Sequence, residues 1–474
     1  MNGEHVLIPA SRLKFWYEKG FVVPLAVSFQ MSDDPWTVAK RVLGARNAFF
    51  LDSVRYQPKT ARYSFLGWEP FRIFYAKNSA DPFFKLKNVF RAYRGRRWPQ
   101  LPFFTGGAVG YLSYELAHTL EKLPDVARDD LALDHATFLF VRDLVVFDHK
   151  ENIYYLIANL IPAEDGSFRS AWRRAVDSIN RNRFLLEKKR IHSNGTTVQI
   201  RKFHADLSKR AFKRMVRAAK RYIEAGDIYQ ANLSQRFSFD FQGCADRLYE
   251  SLREINPSPF SCFLKIGPLQ VASVSPERLI RKAGDWCETR PIAGTRPRGQ
   301  TPLQEKRFSR DLYLSPKERA EHLMLVDLER NDLGRVSQPH SVCVNEFMTL
   351  ERYSHVVHIV SNVVGRLKKE FDQFDLLRAV FPGGTITGCP KIRSMEIIES
   401  LEPFKRHLYT GSIGYLDFNG DTDFNIVIRS LILYRKKGYL QVGAGIVYDS
   451  DPESEYWETL HKGKALIDAL CRHV

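Results

Sequence analysis

FPGGTITGCPK, residues 381–391, has the glycine spacing of a phosphate loop and the wrong chemistry at its end. Gly383 and Gly388 stand where G-x-x-x-x-G-K-[ST] needs its glycines, but Cys389-Pro390 replaces the Lys-Ser/Thr that would reach phosphate and metal. Proline suits the first turn of a helix, where its missing N–H costs nothing. The threonine hydroxyls and glycine amides then stand before the positive end of that helix, which suits a carboxylate. A glycine-rich turn with a helix cap is the competing reading of this stretch alone.

The surrounding chain alternates short strands and helices. DLSKRAFKRMVRAAKRYIEAG has Asp206 or Ser208 as N-cap, Gly226 as stop, and Phe212, Val216, Ala219 and Ile223 on one face. Residues 315–332 and 390–402 read as helices, and the chain closes with strand 439–448, turn 449–454 and helix 455–471. Before residue 165 the pattern is β-rich, with strands over 62–68, 136–148 and 152–160 and a turn at Asp165-Gly166. Residues 167–186 form an amphipathic helix, and polar EKKRIHSNGTT with its Asn194-Gly195 turn reads as a linker. The pattern predicts an α+β architecture, with an N-terminal region 1–190, a linker 191–204 and a second domain 205–474.

A chain of 474 residues supports two or three lobes, and 44% hydrophobic with 13% aromatic residues marks a folded one. No apolar run reaches membrane length, charged residues interrupt the N-terminus, and six cysteines without CxxC or zinc spacing predict reduced thiols. A cytoplasmic protein is expected. The net charge of +17 is mostly local: residues 167–221 hold seventeen Lys and Arg against three acids. Solvated helix faces explain that excess; a nucleic-acid-binding protein would account for the charge and leave the acids below unexplained.

Those acids come in pairs. Glu318 and Glu321, and again Glu455 and Glu458, share a helical face at i, i+3. Such like-charge pairs make sense around a cation, and all-oxygen ligands favour Mg²⁺, although exposed glutamates are common. Glu277, sixteen residues before Ala293 in RPIAGTRPRG, could be a general acid if buried. His358 sits in an apolar run as an ordinary core histidine would. Arg429, isolated among apolar residues, wants an anion.

Taken together, GDIYQANLSQRF (226–237), SPERL (275–279), RPIAGTRPRG (290–299), AEHLMLVDLERNDLGRV (320–336), residues 381–403, GSIGYLDFNG (411–420) and GAGIVYDSDPESEYWETLHKGKA (443–465) resemble the chorismate-utilising enzymes in their order and wording. FFLDS (49–53) and RYSFLGWEP (62–70) resemble that family's N-terminal subdomain more weakly. The resemblance implies a fold of large antiparallel sheets in a sandwich flanked by helices. It also implies a substrate, chorismate, held on Mg²⁺ by Glu321 and Glu458 directly and by Glu318 and Glu455 through water. By the same resemblance Glu277 is the general acid. Arg429, Tyr415 and the amides near Gly443 and Gly445 hold the second carboxylate, Thr385 and Gly388 line its cradle, and Lys462 adds positive charge. Thr295 and His358 join the catalytic group, with Gly294 and Gln230 against the substrate.

Within the family two aminating branches match, the aminodeoxychorismate synthases and the anthranilate synthases. Ala293 stands where some aminodeoxychorismate enzymes carry a nucleophilic lysine, and alanine cannot attack. Gly384, Asn232 and the departure of FFLDS from the LLES associated with tryptophan feedback lean to the aminodeoxychorismate branch. Gln230 occupies the position of the base used by the water-adding branch and cannot serve as one. No glutaminase nucleophile segment is visible, so a separate glutamine amidotransferase subunit is the expected source of ammonia.

Overall fold

The computed structural model describes residues 5–54, 56–77, 81–188, 198–353 and 356–472. Its core is two large antiparallel sheets, of thirteen and ten strands. Side chains of both, among them Phe50, Phe65, Phe263 and Val271 from the larger sheet and Val109, Tyr111, Leu139 and Ile413 from the smaller, pack into one apolar cluster. Helices cover the outer faces: Phe168–Glu187, Ala245–Ile255 and Pro452–Cys471 lie on the larger sheet, and Gln373–Val380 on the smaller. The expected α+β class with large antiparallel sheets is what the chain forms. Among the described residues no helix is long and apolar enough to cross a membrane.

The apolar run 136–148 is two strands, Ala136–Val141 and Asp143–Asp148, which join different sheets with the break at Arg142. Ser208 caps helix Lys209–Glu224 by accepting from Ala211 N–H, and Gly226 leaves it at φ +81°. The last helix starts earlier than its pattern suggests, at Pro452, because the Asp451 side chain accepts from the amides of Glu453 and Ser454. Residues 191–197 of the expected linker lie outside the described residues. The rest of it is not linker: Gln199–Ala205 is an edge strand paired with Gln230–Gln242. Only Ile200 of that strand is buried, so its polar face hid it from hydrophobic patterning.

The N-terminal region and the rest of the chain share both sheets. Asn47–Asp52 pairs with Phe260–Ile266 in the larger sheet, and Gly107–Leu112 with Ser412–Asp417 in the smaller.

Candidate active site

Two short connections carry the chain from one sheet to the other, and they lie side by side. Leu269–Ser275, in the larger sheet, runs through Glu277 into Arg278–Ala283 of the smaller. Thr422–Asn425 of the smaller sheet runs through Arg429 into Ser430–Tyr434 of the larger. The strands pair on both sides of the gap, Ser273 with Ser430 and Arg278 with Asn425. The connections are stitched by Ile426 N–H to Glu277 C=O at 3.1 Å and Val274 N–H to Arg429 C=O at 3.1 Å. An acid and a cation therefore meet where neither belongs to a sheet. Arg429 holds a left-handed φ of +51°, a conformation that costs a non-glycine residue energy and needs this stitching.

Glu277 is 6% exposed. Burial pushes its carboxyl up to about 7, against the opposing pull of the Thr385 hydroxyl, the Ile292 N–H and the Arg429 guanidinium. Among the described residues the Arg429 side chain makes no hydrogen bond or ion pair, so its donors are available to a ligand. Thr385 Oγ1 is likewise buried without a hydrogen bond of normal geometry. The segment of Thr385 packs on this corner, since a Cβ at Gly383 would meet Ile426 Cδ1 at 2.8 Å. Pro390 is the N-cap of helix Lys391–Leu401 and not a residue of its first turn.

His358 is buried, and burial pushes its imidazole down to about 4, so it is neutral at ordinary pH. Its Nδ1 lies 3.1 Å from Gly294 C=O and 3.0 Å from Thr295 Oγ1. A carbonyl only accepts, so Nδ1 carries the proton and Nε2 is left unprotonated. Ala293 pairs with Ile359 on the same strand pair. Gly294, at φ +67°, leaves room for Glu318, whose Oε2 would lie 2.9 Å from a Cβ there.

The four paired glutamates share one electrostatic neighbourhood. Glu321 is raised above the usual carboxylate range by burial and by Glu318, Glu458 and Glu455, with Lys317 opposing. Glu455 is raised by burial and by Glu458; its Oε1 accepts from Ser450 Oγ at 2.6 Å, and its Oε2 is buried without a partner. As they stand, Glu318 pairs with Arg296 at 3.0 Å and Glu458 with Lys462 at 2.8 Å. Among the described residues no three His, Cys, Asp or Glu side chains stand together closely enough to hold a metal ion as placed. The oxygen donors and the orphaned Glu455 Oε2 suit a hard divalent ion in kind.

Lys462 Nζ donates to Gly443 C=O at 3.3 Å. A Cβ at Gly443 would meet Asn232 Oδ1 at 2.5 Å and Tyr409 OH at 2.7 Å, and one at Gly445 would meet Gln230 Nε2 at 2.2 Å. Both glycines thus leave space that polar side chains border, and Gln230 Oε1 and Asn232 Oδ1 are buried without partners. Asn232 Nδ2 donates to Thr385 C=O at 3.3 Å, so contacts run in a chain from Glu277 through Thr385, Asn232, Gly443 and Lys462 to Glu458. Gly388, at φ +143°, pairs with Ala231.

Tyr415 is not in that chain of contacts. Its ring stacks on Phe104 at 4.4 Å and lines a separate cavity of about 220 Å³ with Asp52, Arg278, Arg281 and Asp423. The tyrosine beside Gly443 is Tyr409, whose hydroxyl has no hydrogen bond among the described residues. Two tyrosines six residues apart flank one strand start, and nothing in their spacing says which faces the cleft.

A buried acid, an arginine without a hydrogen bond among the described residues and four glutamates in one electrostatic neighbourhood form an arrangement able to hold a small anionic molecule. The chain belongs to the chorismate binding enzyme family, whose pattern matches residues 48–468. It is 39% identical over 472 residues to anthranilate synthase component 1 of Acetivibrio thermocellus, covering 95% of each chain. It is 43% identical over 391 residues to aminodeoxychorismate synthase component 1 of Bacillus subtilis, covering 82% of each. Among solved structures, anthranilate synthase component I from Streptococcus pneumoniae superimposes with a TM-score of 0.77 at 34% identity, over 87% of this chain and 93% of that one.

Proposed function

We propose that the protein aminates chorismate with ammonia supplied by a separate glutamine amidotransferase subunit, and that its product is 4-amino-4-deoxychorismate. The observation that carries the amination chemistry is Glu277, a buried carboxyl pushed up to about 7 opposite an unpaired Arg429. Such a group keeps a proportion of its protons at neutral pH and can protonate a leaving hydroxyl. Ammonia forms a bond to C2 as the C4–O bond breaks; the Glu277 proton leaves with that oxygen as water, and the surplus proton on the new amine restores the carboxyl. A second ammonia then forms the C4–N bond as the C2–N bond breaks; the Glu277 proton leaves with the first nitrogen as ammonia and the surplus proton on the new amine restores the carboxyl, so one ammonia is consumed overall. Ala293 fits this route, because it offers no side chain for covalent attack.

Arg429 and Tyr409 take one carboxylate in this reading, and Thr385, Gly443 and Gly445 border it. Glu321 and Glu458, with Glu318 and Glu455 behind them, would hold Mg²⁺, which when bound supplies a positive anchor for the ring carboxylate. Support for the C4 product comes from Asn232 and Gly384 in the sequence and from the 43% identity to the aminodeoxychorismate synthase of B. subtilis. The second reading, anthranilate synthesis, is favoured by relatives of that name matching over 95% of the chain and by the neutral His358 at the cleft. Purified protein with chorismate, Mg²⁺ and ammonium separates them. A product that aminodeoxychorismate lyase converts to 4-aminobenzoate supports the first reading; fluorescent anthranilate supports the second. Unconsumed chorismate rejects both.

A further inference from the structure

Beneath the cleft lies a buried ion pair that the chemistry above does not use. Glu402 and Arg406 are 4% and 1% exposed at their side chains. The guanidinium places its donors on four partners. Nε donates to Glu402 Oε2 at 2.8 Å, and Nη2 to Glu402 Oε1 at 2.7 Å and Asn232 C=O at 2.6 Å; Nη1 donates to Ile386 C=O at 3.0 Å and Thr410 Oγ1 at 3.3 Å. Glu402 Oε1 in turn accepts from the amide and the hydroxyl of Ser234, both at 2.8 Å.

Three chain segments that are distant in sequence therefore meet on one side chain. Each carries a group that borders the cleft: Asn232 itself, Thr385 next to Ile386, and Tyr409 next to Thr410. The loop is tied from behind at other points as well, by Lys391 Nζ on Val380 C=O at 3.1 Å and Pro382 C=O at 2.8 Å, and by Thr387 Oγ1 on Gly383 C=O at 3.0 Å. Among the described residues no hydrogen bond engages the amides of Gly384 and Thr385. His407 and Thr410 hold left-handed φ of +52° and +60°, so the backbone around Arg406 stays in place only with outside support.

We propose that Arg406, oriented by Glu402, is a positioning residue: by gripping Asn232 C=O, Ile386 C=O and the Thr410 hydroxyl it fixes where Asn232, Thr385 and Tyr409 face the substrate. The substrate's identity rests on the amination reading; the gripping does not. A lysine could not replace it, since one ammonium lacks the planar fork that spans carbonyls on separate segments.

Arg406→Lys keeps the charge and loses the fork. Without any ligand, amide hydrogen exchange is expected to accelerate at least about tenfold in residues 230–234, 384–388 and 408–411, and to stay unchanged in the outer strands. With chorismate and ammonium, kcat per folded molecule is expected to fall about 100-fold, more than KM rises, as misplaced groups do. Unchanged exchange in the three segments overturns the proposal whatever the substrate is. Faster exchange with unaltered turnover also overturns it, leaving Arg406 a purely structural role. Wild-type protein inert toward chorismate rejects the amination reading instead, and the exchange result still decides the positioning. Should Arg406→Lys fail to fold, Glu402→Gln keeps the side-chain shape and every other acceptor of Arg406; the same three segments should loosen by less, and no loosening overturns the proposal.

Discussion

At the residue scale, Glu277 is held as an acid by where it sits. Its carboxyl must carry a proton to act, and that proton is lost as pH rises through about 7. Expressed per concentration of free ammonia, kcat/KM should therefore decline above about pH 7. Arg429 opposes the upward shift, so Arg429→Gln should move this limb to higher pH. The same change should raise KM for chorismate by about 10- to 100-fold, the worth of a charged hydrogen bond. Steady-state kinetics across pH 6 to 9 check both. Glu277→Gln should lower kcat by about 10²–10⁴-fold with substrate affinity largely kept; an equal loss of affinity, measured by calorimetry, would remove the acid role.

At the scale of elements, the loop 381–388 is shaped by close approach. A Cβ at Gly388 would come 2.1 Å from Gln230 C=O, which is backbone and cannot yield, and the residue holds φ +143°. Gly388→Ala should therefore break the Gly388–Ala231 pairing and destabilise the fold by about 2 kcal/mol or more, read from denaturant midpoints. At Gly384 a Cβ would instead meet Leu328 Cδ2 at 2.4 Å, a side-chain end, so Gly384→Ala should be milder and Leu328→Val should relieve it. Helix limits were legible wherever caps are local: Ser208 and Gly226 mark their helix in the letters themselves. The paired glutamates were legible as pairs, because i, i+3 spacing is a property of one helix. The place of Tyr409 beside Gly443, the contacts of Arg406 and the edge strand Gln199–Ala205 were not. Each depends on which distant segment lies beside it, and partners far apart in the chain leave no local periodicity.

For the whole molecule, buried carboxyls tie stability to pH. Burial pushes Asp417, as well as Glu277, up to about 7. Both have folded values above those of the unfolded chain, so their contribution is full below about pH 4 and is lost as pH rises through 7. The thermal midpoint should thus fall between pH 5.5 and pH 8, and Glu277→Gln should remove part of that slope; a flat wild-type profile would contradict the burial argument. Chelating divalent ions should stop turnover, with Mg²⁺ restoring it, while the free protein keeps its fold because its carboxylates already lie near Arg296, Lys317 and Lys462.

The seams between Asn47–Asp52 and Phe260–Ile266, and between Gly107–Leu112 and Ser412–Asp417, also govern how the chain is born. On the ribosome, Asn47–Asp52 can pair early with Tyr63–Trp68 and Gly107–Leu112 with Ala136–Val141, but each keeps one bare edge until Phe260–Ile266 and Ser412–Asp417 emerge, on the order of tens of seconds at ordinary translation speeds. Throughout that wait their bare edges invite other chains. Newly made protein should accordingly lean on holding chaperones, and a nascent fragment stalled at residue 188 should be digested by protease or lost to aggregates, whereas the released full-length chain resists both.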